Sequence, residues 1–182
     1  MRLHIKVILF ISVLLFTEGL LAQQAQINWM SVAEVQEAMK KEPKKVMIDV
    51  YTSWCGPCKM MMKNTFTDPM VITYINKHYY AVKFNAEGNQ EVSFKGNTYS
   101  NPNFNPAKTK SRNGTHEFTM AIAPVSGKIA YPTIVYMDED FRILTPVQGY
   151  MQPAQIMPIL SYFGDGAYKT TDWQTYQGSY GK

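Results

Sequence analysis

The sequence predicts an α/β fold in which a central mixed β-sheet is flanked by helices. Between residues 45 and 85, a short apolar segment, a helical pattern and a second apolar segment follow one another, which is typical of a parallel βαβ unit. Between residues 132 and 163, two strand-like segments separated by an acidic turn precede a last helix, which favours an antiparallel strand pair. A sheet that contains both kinds of pairing is mixed.

The first part of this pattern has clear boundaries. Ser31 and Glu34 form a capping box, which predicts a helix that ends at Pro43. Residues 45–52 are apolar and β-branched and predict a buried strand. We expect the next helix to begin at the cysteine motif that follows and to run toward Phe66.

Proline marks the boundaries of the later elements. The Asp-Pro pair at 68–69 predicts the start of a further helix, and residues 81–85 predict the strand after it. Residues 132–137 and 142–148 predict the antiparallel pair. Because Pro146 has no N–H to donate, the second strand of the pair is expected at a sheet edge.

Four apolar residues recur at helical spacing near the end of the chain and predict a final helix. They are Ile156, Ile159, Leu160 and Phe163. Pro158 is expected either to kink this helix or to shorten it. Residues 164–182 form a Tyr- and Gly-rich tail in which Trp173 and Tyr176 are candidate anchors.

The length and the charge of the chain favour one globular domain. The chain has 182 residues and a formal net charge of +4. We expect a single domain over residues 23–182, large enough to bury its own core. The positive charge is weak and dispersed, so nucleic acid is not an expected partner.

Residues 1–22 have the layout of a secretory signal peptide. Arg2 and Lys6 give a basic start, residues 7–16 are almost entirely apolar, and Ala22 ends a small-residue cleavage site. The apolar run is shorter than the roughly 20 residues of a membrane-spanning helix. We therefore expect cleavage after Ala22 and a periplasmic or secreted protein without stable membrane insertion, while an uncleaved anchor remains an alternative.

Cys55 and Cys58 are the only cysteines, and they lie where the predicted strand meets the predicted helix. Two thiols at this spacing can form one small disulfide or stand as a dithiol, so the segment can carry two electrons. The alternative is a permanent local disulfide, although such a bond closes a tiny loop and restrains little of the unfolded chain.

The position of the pair at a helix start predicts separate roles for the two thiols. The helix dipole and free backbone N–H groups stabilise a thiolate at Cys55, which we expect to be the exposed nucleophile. Cys58, one turn into the helix, is expected to be more buried and to resolve the mixed disulfide. Pro57 stiffens the turn, and Gly56 lets a partner chain approach closely.

Asp49 lies in the middle of an apolar strand, which is an unfavourable place for a carboxylate. We interpret it as a buried acid with a raised pKa that exchanges a proton with Cys58. Lys83 on the neighbouring strand is expected to lie near Asp49 and to tune it. The alternatives are a strand-end acid that reaches water and an ordinary surface lysine.

Tyr131 and Pro132 open the strand that follows the aperiodic stretch. A cis proline beside a redox pair would hold a backbone edge open, so that an extended substrate segment could pair with it as an added strand. It would also keep metal ions from the thiols. The alternative is a trans proline that merely begins a strand.

Together these residues resemble the thioredoxin family. The segment from Trp54 to Lys59, the acid at 49, the lysine at 83, the Pro-Thr pair at 132–133 and Gly149 match the family's motifs over roughly residues 45–85 and 129–163. The chain looks most like exported members, among them the C-terminal periplasmic domain of the bacterial transmembrane thiol–disulfide interchange protein.

This resemblance implies a thioredoxin fold and a thiol–disulfide oxidoreductase. The expected activity is that of a dithiol reductase or an electron relay, which acts on protein thiols and disulfides and is fed by an inner-membrane donor. The substrate would contact Trp54, Gly56, Pro57, Tyr131 and Pro132. No cofactor is expected beyond the Cys55–Cys58 pair. Tyrosine at 131 departs from the family, which has a small aliphatic residue there.

The stretch at about 86–128 is a long insert before the proline loop and shows no periodicity apart from a possible hairpin at 92–99. It is either a lid or docking surface beside Pro132 or a surface elaboration whose aromatic residues cover the core. The alternative to the oxidoreductase function is an interaction module in which the cysteines are idle and the insert binds a partner.

Neither a zinc site nor a copper site is expected. His78 and His116 could join the cysteines around zinc, but their spacing matches no zinc template. Met60, Met61 and Met62 suggest copper, but consecutive residues on a helix point in different directions.

Overall fold

The computed structural model describes residues 26–182, so the predicted signal peptide at 1–22 lies outside the described residues. The α/β fold with a mixed central sheet is confirmed. The strands are β1 (Trp29–Met30), β2 (Lys45–Tyr51), β3 (Tyr79–Asn85), β4 (Val92–Phe94), β5 (Asn97–Tyr99), β6 (Thr133–Met137) and β7 (Ile143–Gln148). The helices are α1 (Val32–Lys41), α2 (Gly56–Asn64), α3 (Pro69–His78), α4 (Glu117–Ile122), α5 (Pro153–Gly164) and α6 (Trp173–Ser179).

The main sheet has five strands in the order β1-β3-β2-β6-β7. β2 lies at its centre, parallel to β3 and antiparallel to β6. β7 is the edge strand, as Pro146 predicted. The carboxyl ends of the parallel strands β2 and β3 therefore meet at one edge of the sheet, and this edge carries the cysteine motif.

The helix boundaries agree with the capping residues in the sequence. Ser31 and Glu34 form the predicted capping box of α1. The Asp68 side chain accepts hydrogen bonds from the first backbone N–H groups of α3, and Pro69 occupies its first turn. α5 continues through Pro158 to Gly164, so the proline does not shorten it.

Two helical segments lie in stretches where the sequence shows no helical period. α4 has six residues, too few to display a repeat, and is capped by His116, whose Nδ1 accepts a hydrogen bond from the N–H of Phe118. The tail contains α6, and both Trp173 and Tyr176 pack against the core, as the sequence suggested. None of the helices within residues 26–182 is both long and apolar enough to cross a membrane.

The two faces of the sheet carry separate hydrophobic cores. One face packs against α2, α3 and α5, with Met47 and Met61 fully buried there. The other face packs against α1 and the aromatic residues of the insert. In this second core Phe118 of α4 is fully buried and contacts Phe84 and Phe94, with ring centroids 5.1 and 5.2 Å away.

Candidate active site

Cys55 and Cys58 form a disulfide at the point where β2 leads into α2. Cys55 is the N-cap residue of α2, and its Sγ accepts a hydrogen bond from the backbone N–H of Cys58 at 3.1 Å. Pro57 lies in the first turn, where its missing N–H has no helical partner to lose. The structure thus provides an N–H donor and a helix N-terminus for negative charge on the Cys55 sulfur.

The expectation that Cys55 is the more exposed thiol is wrong for this disulfide form. Cys55 is 3% exposed and Cys58 is 4% exposed. The covalent bond holds the Cys55 sulfur against that of Cys58, so both share one buried environment. The exposed part of the motif is Gly56-Pro57. A Cβ atom added at Gly56 would meet no atom within 4 Å, so the space in front of this residue is open to a partner chain.

Asp49 is only 2% exposed. It shares a sheet face with Met47, which packs in the same core as Met61 of the cysteine-bearing helix. Burial raises the pKa of Asp49 from 3.8 to about 7, and the positive charge of Lys83 opposes this rise. The Oδ1 atom has no hydrogen-bond partner among the described residues. A carboxyl group with this pKa can both accept and release a proton near neutral pH.

Lys83 lies directly beside Asp49 in the pairing of β2 with β3. Its Nζ lies 4.9 Å from the ring centroid of Tyr51. Lys83 also lines a cavity of about 420 Å³ together with Cys58, Lys59 and other residues of the motif region. Lys83 therefore lies beside the predicted acid in the sheet and lines the same cavity as the second cysteine.

The peptide bond between Tyr131 and Pro132 is cis. The Thr133 hydroxyl donates to the carbonyl of Ala130 at 2.6 Å, and the N–H of Gly149 donates to the carbonyl of Pro132 at 2.8 Å. Gly149 has a φ of +109°, a conformation that disfavours any other residue. These contacts hold the proline loop at the start of β6.

Trp54 and Tyr131 form an edge-to-face pair, with ring centroids 5.9 Å apart. The pair joins the residue before Cys55 to the residue before Pro132. Burial and the nearby Glu87 carboxylate raise the pKa of Tyr131 to about 12, so its hydroxyl stays protonated at neutral pH.

Glu87 is a site residue that the sequence analysis missed. It follows β3, and its Oε2 accepts hydrogen bonds from the Trp54 indole Nε1–H at 2.7 Å and from the Asn113 backbone N–H at 2.8 Å. One signal could have found it. Because β2 and β3 are parallel, an acid that follows β3 lies at the same edge of the sheet as the cysteine motif that follows β2.

Residues 108–114 of the insert, called the strap from here on, lie against the active-site segment. The Ser53 hydroxyl donates to the carbonyl of Thr109 at 2.5 Å. The Arg112 guanidinium carbon lies 5.0 Å from the ring centroid of Trp54. The aromatic residues of the insert build core, as the surface-elaboration interpretation predicts, and the strap contacts the residues before Cys55. A lid or docking role for the insert stays a prediction.

Both histidines have other partners within the described residues, and the methionines do not converge. His78 stacks on Tyr74 with ring centroids 4.2 Å apart, and the His116 Nε2 lies 2.6 Å from the carbonyl of Gln90. Met61 is fully buried while Met60 is 47% exposed, so the methionines point in different directions. Within residues 26–182, no three His, Cys, Asp or Glu side chains come together as metal ligands.

Comparison with known proteins establishes the family. A family described as a thioredoxin-like domain matches residues 32–164, which is most of the chain. The chain belongs to the thioredoxin-like family, and its fold and Cys55–Cys58 pair are those of a thiol–disulfide oxidoreductase.

The chain is similar to the thiol:disulfide interchange protein DsbD of Pectobacterium atrosepticum, with 38% identity over 47 residues, which cover 26% of this chain and 8% of that protein. It thus spans about a tenth of the length of such curated relatives.

Two solved structures share the fold. A thioredoxin-fold protein from Helicobacter pylori is 20% identical with a TM-score of 0.54, over 74% of this chain and 82% of that chain. A thioredoxin from Thermus thermophilus is 13% identical with a TM-score of 0.52, over 76% of this chain and 87% of that chain.

Proposed function

We propose that the protein is an exported dithiol reductase or electron relay that reduces disulfides in other proteins. The observation that carries this proposal is the placement of the Cys55–Cys58 pair at the N-terminus of α2, with Asp49 buried on the sheet face against which that helix packs. The cis-Pro132 loop lies at the same end of the sheet, at the start of β6. Each group has a distinct task in one exchange reaction.

The reaction starts from the reduced protein. The Cys55 thiolate attacks a substrate disulfide, an S–S bond forms between Cys55 and one substrate sulfur, and the other substrate sulfur leaves as a thiolate that takes a proton. Cys58 then attacks the Cys55 sulfur and releases the second substrate thiol. Two electrons pass to the substrate, and the protein ends as the disulfide seen in this structure.

Asp49 supplies the proton relay for the second step. Cys58 must lose its proton before it can attack, because the thiolate is the nucleophile. Since its pKa is about 7, Asp49 is ionised in a large fraction of molecules at neutral pH and can accept this proton. It returns the proton when an external dithiol reduces Cys55–Cys58 again.

The sequence supports the direction and the location of the reaction. Gly56 and Pro57 separate the two cysteines, without the histidine that would stabilise a Cys55 thiolate further and favour an oxidant. The signal-peptide pattern at residues 1–22 supports export, and an inner-membrane dithiol partner would then restore the reduced form.

Insulin reduction with single-cysteine variants tests the proposal. The wild-type protein should catalyse precipitation of insulin chains with dithiothreitol as donor, and Cys55→Ser should abolish this activity. Cys58→Ser should accumulate mixed disulfides through Cys55, which non-reducing gels and mass spectrometry detect. Cys55→Ser is the matched control and should trap far less.

The interaction-module alternative makes the opposite prediction. If the Cys55→Ser/Cys58→Ser variant retained the protein's full biological function in its host, the cysteines would be idle and the enzyme proposal would fail. Partner binding would then have to survive loss of both thiols.

A further inference from the structure

We propose that the preferred substrates carry acidic residues next to the disulfide that this protein reduces. This inference rests on the proposed function and adds a substrate class to it. Its basis is a set of cationic side chains on the segments next to the Cys55–Cys58 pair, called the cationic rim from here on. The rim consists of Lys59, Lys63, Lys83, Lys108, Lys110 and Arg112.

One half of the rim lies on the cysteine-bearing helix and the adjacent strand. Lys59 and Lys63 of α2 are exposed, and together with Lys83 they line the cavity of about 420 Å³ that Cys58 also lines. Ser53 lies on this cavity as well.

The other half of the rim lies on the strap. The Ser53 hydroxyl binds the carbonyl of Thr109, so the flanking residues Lys108 and Lys110 are held beside the segment that leads into Cys55. Arg112 lies over the ring of Trp54, the residue directly before Cys55. All three strap cations are exposed to solvent.

Asp49 beside Lys83 and Glu87 bonded to the strap offset part of this charge, but the rim has six cations against these two carboxylates. Asp49 is buried in the sheet, and the Oε2 atom of Glu87 accepts hydrogen bonds from Trp54 and Asn113. No ion pair formed within residues 26–182 includes a rim residue. The rim therefore presents positive charge to an approaching chain, and this charge attracts a segment rich in Asp or Glu.

The chemistry of the site decides which polyanion fits. A nucleic acid would meet the same positive charge, but it has no disulfide to exchange with Cys55. A protein segment with a disulfide between acidic residues uses both features at once, because the charges guide its approach and the open space before Gly56 admits its backbone.

Three synthetic peptides of equal length test the inference. Each contains the same single internal disulfide, flanked by Glu, Gln or Lys, and the fully reduced protein is mixed with each one. At 10 mM ionic strength, where charges act over about 30 Å, we expect the Glu peptide to react about tenfold faster than the Gln peptide and the Lys peptide to react slowest. At 1 M salt, where the range is about 3 Å, the rates should converge.

A matched pair of charge variants locates the effect. Lys108→Gln/Lys110→Gln/Arg112→Gln should lower the Glu-to-Gln rate ratio severalfold. The control variant is Lys40→Gln/Lys41→Gln/Lys77→Gln, which removes the same charge. These lysines lie near the end of β2 opposite the cysteine motif, about 20 Å away along this seven-residue strand, so the ratio should be preserved. Replacing the three strap cations by Glu should favour the Lys peptide.

The outcomes separate the two proposals. Equal rates for the three peptides at 10 mM ionic strength, or an equal loss in both triple variants, overturn the inference and leave the reductase intact. Failure to reduce any peptide overturns the proposed function and the inference with it. Binding of single-stranded DNA that competes with exchange as strongly as the Glu peptide would show a polyanion site rather than a peptide preference.

Discussion

Two carboxylates lie at the active-site end of the sheet, and their surroundings differ. Asp49 on β2 has an oxygen without a partner and a pKa of about 7. Glu87, just after β3, has an oxygen that accepts hydrogen bonds from Trp54 and from the backbone of Asn113. The comparison shows that the number of hydrogen-bond donors at each carboxylate determines which role that carboxylate can have. The carboxylate without a donor at one oxygen can store a proton, whereas the one with two donors ties the strap to the motif.

The same contrast extends to the packing behind each residue. Asp49 lies on the sheet face covered by α2, α3 and α5, which are the elements that the family resemblance predicts. Glu87 belongs to the insert, which rests on the second core around Phe118.

Phe118→Ala should lower the stability of the protein more than the other changes, because Phe118 lies in the second core on which the insert with Glu87 rests. The ring is fully buried among Phe84, Phe94 and Tyr99, so the change leaves a cavity and should lower the free energy of unfolding by about 3–5 kcal/mol. Urea unfolding measures this. Met120→Ala on the same helix is the control, since Met120 is 50% exposed and should cost little. Equal stability of the two variants would contradict the second core.

Asp49→Asn should change stability in a pH-dependent way. The carboxyl pKa is 3.8 in the unfolded chain and about 7 in the folded protein, so the folded state holds the extra proton between these values. Wild-type stability therefore falls as pH rises from about 4 to about 7 and stays low above that. The variant lacks this slope and should be more stable by about 4 kcal/mol at pH 8, but not at pH 4.

Unfolding curves at the two pH values test this prediction, and the pH 4 measurement is its internal control. The exchange reaction provides a second measurement, because the variant should lose the inflection near pH 7 in the rate of the Cys58 step. A variant that is no more stable than wild type at pH 8 would show that Asp49 is not a desolvated acid.

Glu87→Gln should have a smaller effect that does not depend on the Asp49 titration. The amide oxygen can still accept both hydrogen bonds, but the charge that strengthens the bonds to Trp54 and Asn113 is lost, which should cost about 1–2 kcal/mol. Thermal unfolding and Trp fluorescence measure it. Glu91→Gln, an exposed acid of the same insert, should behave as wild type. Loss of the pH 7 inflection in Glu87→Gln would reverse the roles assigned to the two acids.

Ser53→Ala should have the smallest effect on stability, at most about 1 kcal/mol, because its hydrogen bond to Thr109 is exposed. Its effect should instead be local, with faster trypsin cleavage after Lys108, Lys110 and Arg112. Ser111→Ala is the control, since the Ser111 hydroxyl bonds only within the strap. Identical cleavage rates in the two variants would mean that Ser53 does not hold the strap.

The sequence predicted the elements that have local signals. Ser31 and Asp68 mark helix starts by their side-chain chemistry, and Pro146 marks the edge strand because it lacks an N–H. The cysteine motif and its neighbours resemble a known family closely enough to predict the fold of residues 45–85. Such signals lie within a few residues of the structure that they specify.

The rest of the site depends on contacts between distant residues. The bonds from Trp54 and Asn113 to Glu87 join positions 33 and 26 residues away in the chain, and no local pattern encodes them. The burial of Cys55 was missed for a related reason, because the disulfide draws its sulfur to that of Cys58. α4 was missed since six residues with a histidine cap show no helical period.

The reduction potential of the Cys55–Cys58 couple tests the central claim most directly. The protein is equilibrated in dithiothreitol or glutathione buffers of known potential, and its free thiols are counted by alkylation and mass spectrometry. We expect a reduction potential of about −270 mV, in the range of reducing thioredoxins. A reduction potential of about −120 mV would indicate a strong oxidant and would contradict the assignment as a dithiol reductase.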